Sequence, residues 1–200
     1  MPLDPESHGE SLFQLTGGAD NAHLWTYLSK GPFADRGEFD AYLRQLAASE
    51  DPVCFVIVER RSSRAVGWVC YMRIEPAHRV IEVGTVMFPP GLRRTTGATE
   101  AIYLMARNAF EVLGYRRFEW KCNSLNAASR RAALRFGFTF EGTFRQHMVI
   151  KGRSRDTMWF SMTDAEWPKR KEAFEAWLQP SNFDAEGRQK SSLSALNGLS

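Results

Sequence analysis

At 200 residues, with 44% apolar and 24% charged side chains, the sequence suits one soluble globular domain around a single core, and no apolar run is long enough to span a bilayer. The net charge of +3 is unevenly spread: residues 1–58 hold nine acids against three bases, −6, so the rest carries +9, in short basic groups that fit small anionic ligands at least as well as nucleic acid. The acidic N-terminus lacks the order of a signal peptide, and Cys54, Cys70 and Cys122, odd in number and each within an apolar run, are expected as buried free thiols in the cytoplasm, with no metal site.

Residues 1–19 show scattered polar side chains, Pro2, Pro5 and Gly17-Gly18, with no clear period. Asp20 or Asn21 is positioned to cap a short helix through Leu28, with Leu24, Trp25 and Leu28 on one face, before Lys30-Gly31-Pro32 breaks it. Phe39, Tyr42, Leu43 and Leu46 recur at helical spacing in a second helix from Phe33 to near Ser49. The dense aromatics Trp25, Tyr27, Phe33 and Phe39 read either as core packing or as the wall of a substrate cleft. Residues 53–59 (VCFVIVE) and 65–74 (AVGWVCYMRI) form a hairpin, and a turn at Glu75-Pro76-Ala77-His78 leads into a third strand, 80–88, stopped by Pro89-Pro90.

Thr95 or Thr96 then caps a helix in which Ala98, Ile102, Met105, Ala106, Ala109 and Leu113 recur at helical spacing, with Gly114 at its end. Residues 116–122 are a strand, made parallel to 80–88 by the crossover helix, so the sheet is mixed. Asn126 or Ser124 opens a helix ending at Phe136-Gly137. Residues 138–150 form a long strand interrupted at Glu141-Gly142, and 156–162 its antiparallel partner across Lys151-Gly152-Arg153-Ser154. Asp164 is the expected cap of an amphipathic helix through Leu178, docking Trp167, Phe174, Trp177 and Leu178. Residues 180–200 read as a loose tail or a surface-hugging extension. The expected organisation is one domain over 1–179, with its core in 53–167, plus the extension 180–200.

The turn at Arg93-Arg94-Thr95-Thr96-Gly97-Ala98 is built for phosphate. Unpaired N–H groups of a helix's first turn bind phosphate oxygens; Gly97 and Ala98 permit close approach, and Thr95, Thr96 and Thr99 add hydroxyls. Arg93 and Arg94 supply charge and bidentate geometry. Neither a Walker A loop nor a GxGxxG fingerprint is present.

The run from "EVGTVMFPPGLRRTTGATEA" through "LNAASRRAALRFGF" resembles the GCN5-related N-acetyltransferases (GNAT superfamily), most closely the branch that includes the ribosomal-protein N-terminal acetyltransferases (RimJ/RimL-like). The similarity covers roughly residues 53–167. The family's Q/R-x-x-G-x-G/A acetyl-CoA motif falls on Arg93, Arg94, Thr95, Thr96, Gly97 and Ala98, with Thr96 where glycine is usual. The resemblance implies an α/β (α+β) fold: a mixed, mostly antiparallel sheet of about seven strands flanked by helices, splayed between strands 80–88 and 116–122. It implies acetyl-CoA as acetyl donor, its pantetheine arm on the backbone of Val86, Met87 and Phe88, with Asn126 beside the arm and Ser129 near the thioester sulfur.

The implied reaction is direct attack of a primary amine on the thioester in a ternary complex, at a peptide N-terminus or on a small molecule. Many relatives protonate the departing thiolate with a tyrosine seven residues after the asparagine; here that position is Ala133, and Ser129 is the expected acid, with helix capping as its structural alternative. Glu82 is the first candidate base, with a buried ion pair as the alternative, and His147 the second. An α-amine of pKa near 8 needs no strong base in either case. Met148 stands where that branch can carry glutamate. A non-catalytic acyl-CoA-binding module is the other reading, suggested by Thr96 and the missing tyrosine. A homodimer is compatible with the sequence, a membrane partner is not expected, and Arg130, Arg131 and Arg135 are explained by helix solvation more cheaply than by nucleic acid.

Overall fold

Asp4 and Pro5 start a helix where the sequence shows no clear period. In the computed structural model, which describes residues 1–198, helix α1 spans Pro5–Thr16; the Asp4 side chain accepts the Glu6 N–H at 3.2 Å, and proline sits in the first turn. The chain forms two units, one of Met1–Ile74 with Val83–Ala98 and the other of Glu75–Glu82 with the chain from Thr99 onward. Its six strands share one mixed sheet in the order β1-β2-β3-β4-β6-β5, with helices on its flanks.

The first unit is organised around Trp25. A 3₁₀ turn, Ala19–Trp25, delivers this indole to full burial, where its Nε1–H donates to Thr16 O at 2.7 Å. Helix α2, Arg36–Ala47, is capped by Asp35 on the Glu38 N–H and turns Phe39, Leu43 and Leu46 inward. Each such side chain stabilises the fold by about 1.5–3 kcal/mol. Trp25 meets Phe33, Phe39, Tyr42 and Trp68 with ring centroids 5.0–6.4 Å apart. Of the two readings of these front aromatics, Trp25 and Phe39 are therefore core, while Tyr27 stays 36% exposed.

Strands β1 (Val53–Glu59) and β2 (Arg64–Glu75) pair antiparallel. Their register sets Cys54 opposite Cys70, and the two sulfurs are bonded. This corrects the expectation of three free thiols: cross-strand register joins a pair that sequence spacing alone separates, and Cys122 is the free cysteine among the described residues. Strand β3 spans Val80–Met87. Gly67 on β2 lies so close to its end that a Cβ there would stand 2.5 Å from Met87 O and 2.8 Å from Leu92 Cδ2.

Helix α3 (Thr96–Arg107), which belongs to the second unit from Thr99 onward, continues through a π turn, Asn108–Val112, to Gly114 at φ 69°. Strand β4, Arg117–Asn123, pairs antiparallel with β6, Arg153–Thr163, which pairs antiparallel with β5, Thr139–Ile150. The break at Glu141-Gly142 is a bulge within β5, and a second lies between Phe144 and Met148; among the described residues the sheet has six strands, where the family resemblance implied about seven. Helix α4, Ala127–Arg135, starts at Asn126. Helix α5, Trp167–Leu178, has Glu166 and not the expected Asp164 at its cap position; Glu166 Oε2 accepts the Thr163 N–H and hydroxyl, each at 2.8 Å, while Asp164 caps only its neighbour's N–H. A short helix α6, Leu193–Leu196, buries Leu193 completely, and Arg170 donates to Asn197 O. The described part of the C-terminal extension is thus docked, not loose. No helix among the described residues is long and apolar enough to cross a membrane.

One face of β4 carries a ladder of alternating charge. Arg117 grips Glu141 through both terminal nitrogens, at 2.8 and 2.5 Å, and Glu119 through Nε at 2.7 Å; Lys121 Nζ then bridges Glu119 at 2.7 Å to Glu82 at 2.9 Å. The Arg117 guanidinium, assisted by the Ser161 hydroxyl, holds the Glu141 carboxyl below the ordinary glutamate value of 4.5, against the opposing effect of burial.

Two stability predictions follow from this packing. Gly67→Ala must displace backbone, so its melting midpoint should fall by the equivalent of about 1–3 kcal/mol; an unchanged midpoint means that the Met87–Leu92 approach is not tight. Because Glu141 is depressed, the stability it contributes is complete above pH 4.5 and is lost as pH falls through its folded value. Wild type should therefore lose more melting temperature than Glu141→Gln between about pH 6 and pH 3.5; parallel losses would show that the pair adds nothing.

Candidate functional site

The first group of candidate residues lies at the end of β3 and in the turn after it. Thr85 has φ 47°, a left-handed value that a β-branched residue rarely adopts, and it kinks β3 immediately before Val86, Met87 and Phe88. Beyond Pro89, the N–H groups of Leu92 and Arg93 fold back onto Pro89 O. Arg94 is left-handed at φ 62°, so the turn is tight and both Arg93 and Arg94 are exposed. Arg93 Nε donates to Phe88 O at 2.6 Å, which takes up one of the carbonyls expected to serve the pantetheine arm.

Between the two possible caps of α3, Thr95 is the one used: its hydroxyl accepts the Ala98 N–H at 3.2 Å. A Cβ on Gly97 would meet only Leu92 Cδ1 at 3.7 Å and Thr95 Oγ1 at 3.8 Å, both ordinary contacts. None of these described neighbours demands glycine there, and the turn's backbone is open at this point. Exposed arginines, a capped helix start and an unfilled glycine face fit a pyrophosphate. Thr96 is exposed at the position where the family's glycine is usual.

The second group surrounds β4. Glu82, only 4% exposed, is bound to Lys121, so the buried-pair alternative describes its resting state. Lys121 Nζ also lies 3.8 Å from the centroid of the Trp159 ring, a cation–π contact in a desolvated place. His147 contacts the same Trp159 ring, with centroids 6.1 Å apart, and bonds Thr157 Oγ1 through Nδ1 at 3.0 Å. The two candidate bases are therefore on one side of the β4–β6–β5 sheet, separated by Lys121 and Trp159.

Ser129 belongs to the opposite side. Asn126 Oδ1 accepts the Ser129 N–H at 3.0 Å, so Asn126 is the cap of α4 and Ser129 is not. The half-buried Ser129 hydroxyl instead accepts the Trp120 Nε1–H at 2.9 Å. Next to it, burial pushes the Cys122 thiol up in pKa, moderated by the Ser129 hydroxyl. Thr99 is buried, with its hydroxyl taken by Arg135 at 3.1 Å, so it faces α4 and supports the helix start from within the fold.

Sequence reasoning missed Lys121, Trp159 and Trp120. The signal was present in RFEWKCN, where charged and apolar residues alternate strictly, but which neighbours would meet each face depends on β6 and α4.

The family profile described as "Acetyltransferase (GNAT) domain" matches residues 2–139. A crystal structure of a GCN5-related N-acetyltransferase from Brucella melitensis superposes with a TM-score of 0.95 at 47% identity, over 99% of this chain and 90% of that one. A second, titled a probable acetyltransferase (GNAT family) from Chromobacterium violaceum ATCC 12472, gives 0.78 at 49% identity, over 84% of this chain and 83% of that one. Among curated proteins, an uncharacterized N-acetyltransferase, YoaA, of Bacillus subtilis (strain 168) is 31% identical over 106 residues. That match spans 52% of this chain and 59% of the relative's length. On the profile match and these likenesses, the chain belongs to the GNAT acetyltransferase family.

Proposed function

We propose that the protein is an acetyl-CoA-dependent N-acetyltransferase that transfers the acetyl group to a primary amine. The observation that carries this reading is the kinked end of β3, where left-handed Thr85 precedes Val86–Phe88 and the Arg93–Ala98 turn follows. Arg93, Arg94 and the N–H groups opening α3 would hold the pyrophosphate. The backbone of Val86, Met87 and Phe88 would hold the arm and polarise the acetyl carbonyl, and Asn126 is the asparagine that the family resemblance assigns to the arm. Acetyl-CoA supplies an activated acetyl thioester. Backbone donors aimed at a developing oxyanion are worth about 3–4 kcal/mol of barrier.

On this reading Ser129 gives a proton to the departing thiolate. Glu82 is joined through Lys121 to the charge ladder Glu141–Arg117–Glu119–Lys121. Glu82 would accept a proton, through water, from the acceptor's ammonium before the neutral amine attacks, with His147 as the second candidate. The acceptor is a peptide N-terminus or a small-molecule amine. The "ATEA" and "LNAAS…FGF" runs support the ribosomal-protein N-terminal acetyltransferase branch.

The test is free-thiol release from acetyl-CoA in the presence of a panel of primary amines and peptides, with at least one acceptor expected to turn over. Acetyl-CoA binding without turnover on any acceptor would identify a non-catalytic module. Ser129→Ala should lower kcat on the order of 100-fold with acetyl-CoA affinity held within about twofold; unaltered turnover removes Ser129 as the acid. The double variant Arg93→Ala, Arg94→Ala should raise the acetyl-CoA Kd by about tenfold or more, and an unaltered Kd sinks the phosphate assignment.

A further inference from the structure

Trp120 belongs to no motif and is 5% exposed, yet its one polar atom is spent on the hydroxyl assigned as the acid. Strand alternation puts Trp120 on the apolar side of β4, away from Glu119 and Lys121. Its ring is held by Phe136 and Phe138, with centroids at 6.0 and 5.7 Å, and it faces Phe160 as cross-strand register partner. An indole N–H only donates, so the Ser129 oxygen must be the acceptor. The Asn126 bond to the Ser129 N–H fixes the backbone from the other direction.

Two consequences follow for the hydroxyl. Its hydrogen cannot point toward the indole, which restricts where it is delivered. A donor placed on its oxygen also stabilises the negative charge that grows as the proton leaves, and such charge-assisted bonds are roughly twice as strong as neutral ones.

We propose that Trp120 is a positioning residue for acetyl transfer, orienting the Ser129 hydroxyl and raising its acidity through the Nε1–H bond. The inference rests on the reading of Ser129 as the acid. In that step the carbon–sulfur bond breaks with its electron pair on sulfur and the Ser129 proton moves to sulfur, while the proton shed by the amine nitrogen as the amide forms is relayed through water to restore the serine hydroxyl, so no hydroxide is left behind. Trp120 exchanges no proton; its bond to the oxygen shortens while the oxygen is charged.

The experiment is a double-mutant cycle on the full chain with Trp120→Phe, which keeps an aromatic ring and removes the N–H, and Ser129→Ala. Trp120→Phe should lower kcat by about fivefold to twentyfold, with KM for acetyl-CoA within about twofold, and should lower it no further in the Ser129→Ala background. Equal losses in both backgrounds would mark a packing role and overturn the proposal. Full activity of Trp120→Phe beside an impaired Ser129→Ala would overturn it and leave the acid assignment intact, whereas full activity of Ser129→Ala would remove both. A second measurement leaves the ring untouched: one indole N–H proton resonance should move upfield on Ser129→Ala. No movement among the indole signals would show that the bond is absent and would equally overturn the proposal.

Discussion

Everything assigned to the second unit depends on the antiparallel register of β4 against β6. That register sets Lys121 opposite Trp159 and Trp120 opposite Phe160, so neighbouring residues face different chemistry. A slip of one residue would carry the ammonium into the Phe136–Phe138 cluster and the indole into the carboxylates. Burying an unpaired ammonium costs several kcal/mol, far more than any gain in pairing elsewhere, so the charges themselves enforce the register. The proposed proton acceptor and donor are separated by the same device: Glu82 meets the odd-numbered face of β4 at Lys121, Ser129 the even-numbered face at Trp120.

The first unit solves a different problem, how to hold a backbone in an uncomfortable shape. Left-handed Thr85 and Arg94 bracket the segment expected to carry the donor. Each costs on the order of 1–3 kcal/mol, which surrounding packing must offset. The anchors are visible: Met87 and Leu92 are buried, Gly67 lets both approach β2, and Trp25 with its aromatic neighbours fixes the hairpin from which β2 comes. A floppy turn could bind phosphate only after ordering itself, whereas one locked by Leu92 and the Thr95 cap has met that cost during folding.

What the sequence made legible was whatever chemistry is local. Thr95 and Asn126 cap the helices that their positions suggested, the hairpin 53–74 forms, and Gly97 stands bare in the turn. Non-local relations were not legible. Cys54 and Cys70 are sixteen positions apart and meet only through hairpin register. Asp164 was the expected cap by residue type, but the helix starts two residues later, at Glu166, whose carboxylate binds the Thr163 N–H and hydroxyl at the end of β6. The helix at Pro5–Thr16 was readable from Asp4-Pro5, but its single buried stripe of His8, Leu12 and Thr16 is too polar to announce a period. The partners of the candidate glutamate and serine, Lys121 and Trp120, required the sheet.

The resting pair of Glu82 and Lys121 bears on how the base would operate. A carboxylate bound to an ammonium is a weaker proton acceptor than a free one, which argues against Glu82 acting alone. Lys121, however, is shared: Glu119 holds it at 2.7 Å and Glu82 at 2.9 Å, while Arg117 draws on Glu119 from the other side. A proton arriving at Glu82 removes one of two carboxylates competing for a single ammonium, and Lys121 keeps its bond to Glu119 and its place over Trp159. No buried cation is stranded by that event, which is the usual reason a buried pair resists protonation. The ladder thus allows Glu82 to be neutralised at lower cost than an isolated pair would, and its extension through Arg117 to the half-exposed Glu141 provides the stabilising charge from a group that itself needs little desolvation.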